Sequence, residues 1–214
     1  MNILFQATGC FFMNYISSLI CKKNAEKYLE NPYTPVYDII HNNVPKIGIH
    51  APEYLLLVSF VSAIIKQFFS PGSDEQLQIN ISAVGYSLVL RSITTISTIM
   101  PTCMPRPPAS QSYYKKIFLS THDLMYSGHT IIFIFLGTMV DADYCTNMFL
   151  YSYSRMIQFV FPISLILSRQ HYTNDVIVSI VVYNLFYHLL ALPSIPAVNA
   201  RYECSHRLIC TPCL

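Results

Sequence analysis

The chain has 214 residues, 53% of them hydrophobic and only 11% charged, where a soluble domain carries about 25% charged residues. With a mean hydropathy of +0.40, that deficit points to a membrane protein of one domain rather than a soluble one. The net charge of +2 is too small to mark a nucleic-acid binder, and no basic run interleaves with aromatics.

A bilayer-crossing helix needs about 20 mostly apolar residues. Six stretches qualify in chain order: 1–21, 53–70, 79–104, 126–140, 147–167 and 174–193. The first carries no charge and lacks both a basic n-region and a small-residue cleavage site, so it reads as a retained helix. The third contains Arg91, the fourth is short, and the fifth contains Arg155. The expectation is an all-α membrane protein of six transmembrane helices. Residues 1–200 form the membrane domain, and residues 201–214 a short polar tail containing cysteines. Tyr144, Tyr151, Tyr153 and Tyr172 fall near span ends, where interfacial aromatics collect.

The loops differ in character. Residues 22–52 are polar and contain prolines, 71–78 and 141–146 are acidic, and 105–125 are basic. Six spans put 22–52, 105–125 and 168–173 on one face. Their lysines and arginines, Lys22, Lys23, Lys27, Lys46, Arg106, Lys115, Lys116 and Arg169, would place that face in the cytosol by the positive-inside rule.

Ionisable residues inside or at the ends of spans are functional candidates by default. One group is Asp123 followed by Ser127-Gly128-His129-Thr130 at the start of the fourth span. The other is His171-Tyr172-Thr173-Asn174-Asp175-Val176 at the start of the sixth. His129 and His171 are 42 residues apart, the length of one helix in and one helix back at about 20 residues each, so both fall on one face at one depth. Each group sits at a helix N-terminus, where free N–H groups favour an anion, and Ser127 and Gly128 permit close backbone approach to a phosphate. His171 and Asp175 are i and i+4, on one helix face. A carboxylate there fixes the imidazole tautomer and sharpens the far nitrogen as a nucleophile. His129 is then the general acid for the departing oxygen. The pattern suits phosphoryl-type transfer through a phosphohistidine. A single membrane histidine is more often a helix-packing group; two matched groups with an i+4 carboxylate argue for chemistry.

These motifs, Asp123-x-x-x-Ser127-Gly128-His129-Thr130 and His171-Tyr172-Thr173-x-Asp175-Val176, resemble the two signatures of the sphingomyelin synthase family. Thr34-Pro35-Val36-Tyr37-Asp38, with Asn43-Val44-Pro45, is similar to that family's Pro-Leu-Pro-Asp segment. Arg91-Ser92-Ile93-Thr94, with Thr98 and Pro101, is similar to its arginine-and-threonine motif. The resemblance covers residues 1–192. It implies a lipid-phosphatase-like bundle that moves phosphocholine or phosphoethanolamine from phosphatidylcholine or phosphatidylethanolamine to ceramide, releasing diacylglycerol, with no metal or other cofactor. It maps His171 to the nucleophile, Asp175 to its partner and His129 to the general acid or base. It makes Ser127, Gly128, Asp123, Arg91 and Tyr172 candidates for substrate binding. It implies a Golgi, plasma-membrane or endoplasmic-reticulum enzyme, open to homo-oligomerisation, whose site is lumenal or extracellular. That placement opposes the lysine and arginine count, and the resemblance is given the greater weight. The chain departs from the family at Thr121-His122, where Cys-Gly is usual, and at Tyr37, where proline is usual. Both departures bear on headgroup choice.

Two rival readings stay open. A lipid phosphate phosphatase or phospholipase C-like hydrolase uses the same histidine pair with water as acceptor, but the phosphatase's Lys-x6-Arg-Pro pattern fails at Ile99, and its Ser-Arg-x5-His pattern fails because His171 follows Ser168-Arg169 too soon. A catalytically silent scaffold or lipid sensor would leave all three residues without use.

Other positions carry weaker expectations. Arg91 serves either a lipid phosphate or a structural pairing, and Arg155 a structural pairing. His188 reads as packing or interfacial, and His41, His50 and His122 as solvated loop residues. Asp38 caps a helix or lines the site mouth. Cys204, His206, Cys210 and Cys213 in the tail fit palmitoylation better than zinc. Cys10, Cys21, Cys103 and Cys145 read as small hydrophobes. The Asn80-Ile81-Ser82 sequon sits at a span edge and is discounted.

Overall fold

In a computed structural model of the chain, residues 3–28, 37–70, 74–98, 127–141 and 147–191 are described. Asp123, the Thr121-His122 departure, Thr34-Pro35-Val36 and the tail 201–214 lie outside them.

Among the described residues every regular element is a helix. α1 spans Ile3–Tyr28, α2 Ile39–Asn43, α3 Ala51–Phe69, α4 Asp74–Ser97, α5 Gly128–Val140, α6 Met148–Arg155, α7 Ile163–Leu167 and α8 Thr173–Ala191. A π-helical turn, Met156–Val160, joins α6 towards α7. Four helical stretches are long and apolar enough to cross a membrane: 51–69, 74–97, 148–167 and 173–191. By length and composition the chain is an integral multi-pass membrane protein. The other two of the six expected spans are shorter as apolar helices. They are Thr8–Cys21 within α1, and α5, whose 13 residues rise about 20 Å at 1.5 Å each, less than the roughly 30 Å hydrocarbon thickness.

The boundaries follow local chemistry. α1 continues past Cys21 because Lys, Ala and Glu are good helix formers. α3 begins with Pro52 in its first turn, where a missing N–H leaves no bond unmade. α4 begins at Asp74, earlier than the apolar run, because Asp74 and Glu75 complement the positive end of its dipole. The π turn precedes Pro162. Phe161 N donates to Met156 O at 2.9 Å, and the proline, having no N–H, ends the ladder.

α1 packs along α4, and α4 in turn against α5 and α8. α5 is the hub, touching α3, α4, α6, the π turn and α8. Its Ile131, Phe133, Ile134, Leu136 and Val140 are all buried. That central place accounts for a helix shorter than a span, since its neighbours and not lipid surround it. Gly137 makes the hub tight: a Cβ there would overlap Gln158 Cγ and come within 3.0 Å of Ser154 O.

The polarity pattern suits a lipid solvent. Large apolar side chains face outward, among them Phe68, 81% exposed, and Phe69, 80% exposed. Small and polar side chains face inward: Ser59, Asn80, Ser87, Ser154 and Ser179 are buried. Between helices in lipid, hydrogen bonds and close packing of small residues replace the hydrophobic effect. Gln76 Nε2 donates to Tyr187 Oη at 2.6 Å, Tyr183 Oη to Asn80 at 3.3 Å, and Ser62 meets Tyr153 Oη at 2.9 Å.

Candidate active site

The end of the bundle where α5 and α8 begin gathers most of the candidate residues. Ser127 caps α5, its hydroxyl accepting from Thr130 N at 3.2 Å. Its own N–H donates to Ser179 Oγ at 2.7 Å and points to Asp175 O at 3.4 Å. The start of α5 is thereby pinned to the first turns of α8, and His129 is brought to His171. The two imidazole centroids are 6.0 Å apart with planes tilted by 59°.

α8 begins with a reciprocal cap. Asp175, in the first turn, accepts from Tyr172 N at 3.0 Å through Oδ2, as the third residue of a capping box does. The same oxygen stands 3.5 Å from His171 Nδ1. At this separation the buried Nδ1 makes no hydrogen bond. The two groups face each other at the outer limit of hydrogen-bond distance. His171 and Asp175 are 6% and 2% exposed, so charge developing on this pair is poorly screened by water.

Arg91 reaches the same place from α4. It is buried, it donates to Asn14 Oδ1 of α1, and its guanidinium lies against Gly128, where a Cβ would be 3.7 Å from both Cζ and Nε. The α-carbon of Gly128 thus faces a cation beside His129. Asn14, the residue that steers Arg91, was invisible to motif reading because nothing in its neighbourhood is charged. Tyr172 is buried at 5% exposure, its ring stacked on His41 at 5.8 Å.

Residues 37–50 supply what sequence reading valued least. His41, expected to be solvated, is only 7% exposed, because its Nε2 bonds His171 O at 3.1 Å. Asp38 caps α2 through Ile40 N and His41 N, and also accepts from Thr173 N at 2.8 Å and Thr173 Oγ1 at 3.0 Å. Burial acts to raise the Asp38 carboxyl. The Thr173 and His41 N–H bonds, the Thr173 hydroxyl and the His41 charge outweigh it and hold the group below its ordinary 3.8. His50, as expected, is exposed, paired with Glu53 at 2.9 Å. Arg155 is structural, as expected, bonding Asp141 at 2.7 Å and Gln158 at 2.8 Å far along the bundle.

His129, His171, Asp175, Ser127, Gly128, Arg91 and Tyr172 therefore meet at one end of the bundle. No curated protein matches the chain. Residues 121–192, a third of the chain, match the family described as PAP2 superfamily C-terminal. This stretch contains α5 through α8 and with them His129, His171 and Asp175, so the part of the bundle that holds both histidines is similar to the PAP2 superfamily C-terminal family.

Proposed function

We infer that the protein is a lipid phosphotransferase that moves phosphocholine or phosphoethanolamine from a glycerophospholipid to ceramide through a phosphohistidine. The observation that carries this reading is the pairing of His129 and His171 at 6.0 Å beside a buried carboxylate.

In the first step His171 Nε2 attacks phosphorus and the bond from phosphorus to the diacylglycerol oxygen breaks. His129, protonated, delivers its proton to that oxygen, and diacylglycerol leaves. Asp175 faces Nδ1, stabilises the positive charge arising on the ring and fixes which nitrogen attacks. In the second step the ceramide hydroxyl gives its proton to His129, its oxygen attacks phosphorus, and the phosphorus–nitrogen bond breaks. Arg91, beside Gly128, supplies positive charge for the phosphoryl oxygens. With water in place of ceramide the same residues make a lipid phosphatase, a reading that the PAP2 superfamily match also supports.

The test is expression in cells lacking sphingomyelin synthesis, fed a fluorescent short-chain ceramide, with His171→Ala as the blank. A labelled phosphocholine or phosphoethanolamine product that vanishes in the mutant is expected, and it names the headgroup. Phosphate release or diacylglycerol formation without a labelled ceramide product would replace the transferase reading with the hydrolase.

A further inference from the structure

We propose that Asp38 and His41 are positioning residues, which set the backbone of His171–Thr173 so that Asp175 faces the His171 ring. This rests on His171 being the nucleophile. The segment 37–50 is strapped to residues 167–173 by hydrogen bonds along its whole length. Thr173 N and Oγ1 donate to Asp38, His41 Nε2 meets His171 O, and Arg169 donates to His41 O at 2.7 Å. Gln170 Nε2 donates to Ile49 O at 2.6 Å, and Ile47 N donates to Leu167 O at 3.1 Å.

The bonds fall where they control one oxygen. A carbonyl only accepts, so His41 Nε2 carries the proton and donates to His171 O. That carbonyl belongs to the same rigid peptide group as Tyr172 N, and Tyr172 N donates to Asp175 Oδ2. Asp175 Oδ2 is the atom facing His171 Nδ1. A swing of this peptide carries the carboxylate oxygen with it. His41 holds one edge of the peptide, and Asp38 holds the next amide at Thr173. The ring of His41 is itself fixed by stacking on Tyr172, with planes 24° apart.

The turn entering this segment is under strain that the strap offsets. Arg169 has φ of 61°. Its N–H bonds Ile166 O and the Gln170 N–H bonds Leu165 O, a helix ending in which glycine is usual. A side chain in that conformation crowds the following carbonyl oxygen, which glycine avoids. Here the arginine is held by its bond to His41 O.

The test measures turnover of phosphatidylcholine and fluorescent ceramide by the full chain in nanodiscs. His41→Phe keeps the stacked ring and loses the donor, whereas His41→Gln keeps an amide donor near the Nε2 position. The expected result is a roughly tenfold or larger fall in kcat for His41→Phe with KM within about twofold, most of it recovered in His41→Gln. Arg169→Gly relaxes the turn while releasing the strap, so its expected loss of kcat at unchanged or raised melting temperature separates positioning from folding. Wild-type kcat in His41→Phe would overturn the proposal, as would equal losses in the Phe and Gln variants. If the wild-type protein turns over no ceramide, nitrogen-15 histidine spectra, assigned with His171→Ala, carry the test. His171 held with its proton on Nδ1 in the wild type and mixed in His41→Phe supports positioning; identical spectra overturn it.

Discussion

Asp175 accepts from Tyr172 N and faces His171 Nδ1 at 3.5 Å through the same oxygen. Asp175→Asn keeps the volume and the cap but removes the charge that fixes the imidazole. We expect kcat to fall by roughly 10²–10⁴-fold with the melting temperature little changed, read from ceramide turnover and a thermal scan on one preparation. Asp38 gives a prediction about acid stability. Its carboxyl is the stronger acid when folded, held below 3.8 by its bonds to Thr173 and His41. Its contribution is therefore whole above pH 3.8 and is lost as pH falls through the folded value. Thermal unfolding in detergent from pH 6 to 3 checks this. The wild type should lose stability below that point, and Asp38→Asn should lose less of it. His129, His171 and Asp175 were legible as residue types because ionisable groups where apolar spans begin are functional candidates and the i, i+4 spacing pairs two of them. His41 was not, because its burial depends on a contact 130 residues away.

At the scale of elements, α5 decides how closely the bundle closes. Gly137→Ala has opposing terms. Alanine favours the helix by about 0.5–1 kcal/mol, whereas overpacking a tight core costs about 1–3 kcal/mol. The Gln158 side chain can move, but Ser154 O, 3.0 Å from the added Cβ, belongs to a helix backbone and cannot. The overpacking term wins, and Gly137→Ala should lower the melting temperature and loosen α5 against the π turn. A variant as stable as the wild type would show that α6 shifts freely. The sequence marked 126–140 and 147–167 as spans, and the structure places helices at 128–140 and 148–167. It did not mark the π turn, because Pro162 signals a break without saying how the preceding turn adapts. Nor did it mark α2, whose five residues exist through the Asp38 cap and its anchor on Thr173.

The four long apolar helices set how the molecule crosses a bilayer. The strap 37–50 and the start of α8 lie at one end, and the close of α3 at the other. Single cysteines at Lys46 and Ser70, both exposed, introduced after replacing the native cysteines, should react with an impermeant maleimide from opposite sides of the membrane. Labelling of both from one side would break the topology. In sealed microsomes, whose outer face is cytosolic, labelling of the Lys46 site only after permeabilisation would put the site on the lumenal face, against the lysine and arginine count. The all-α membrane class and the two histidine motifs were legible in the sequence alone, because lipid demands apolar helices and ionisable residues at their ends are functional candidates; of the six expected spans, four are long and apolar enough to cross a membrane among the described residues. The tertiary structure decided the rest. It made α5 a buried hub instead of a lipid-facing span, brought Arg91 to Gly128 through Asn14, and turned a polar loop into a strap against His171. Each depends on partners distant in the chain, and local pattern carries no information about which distant groups will meet.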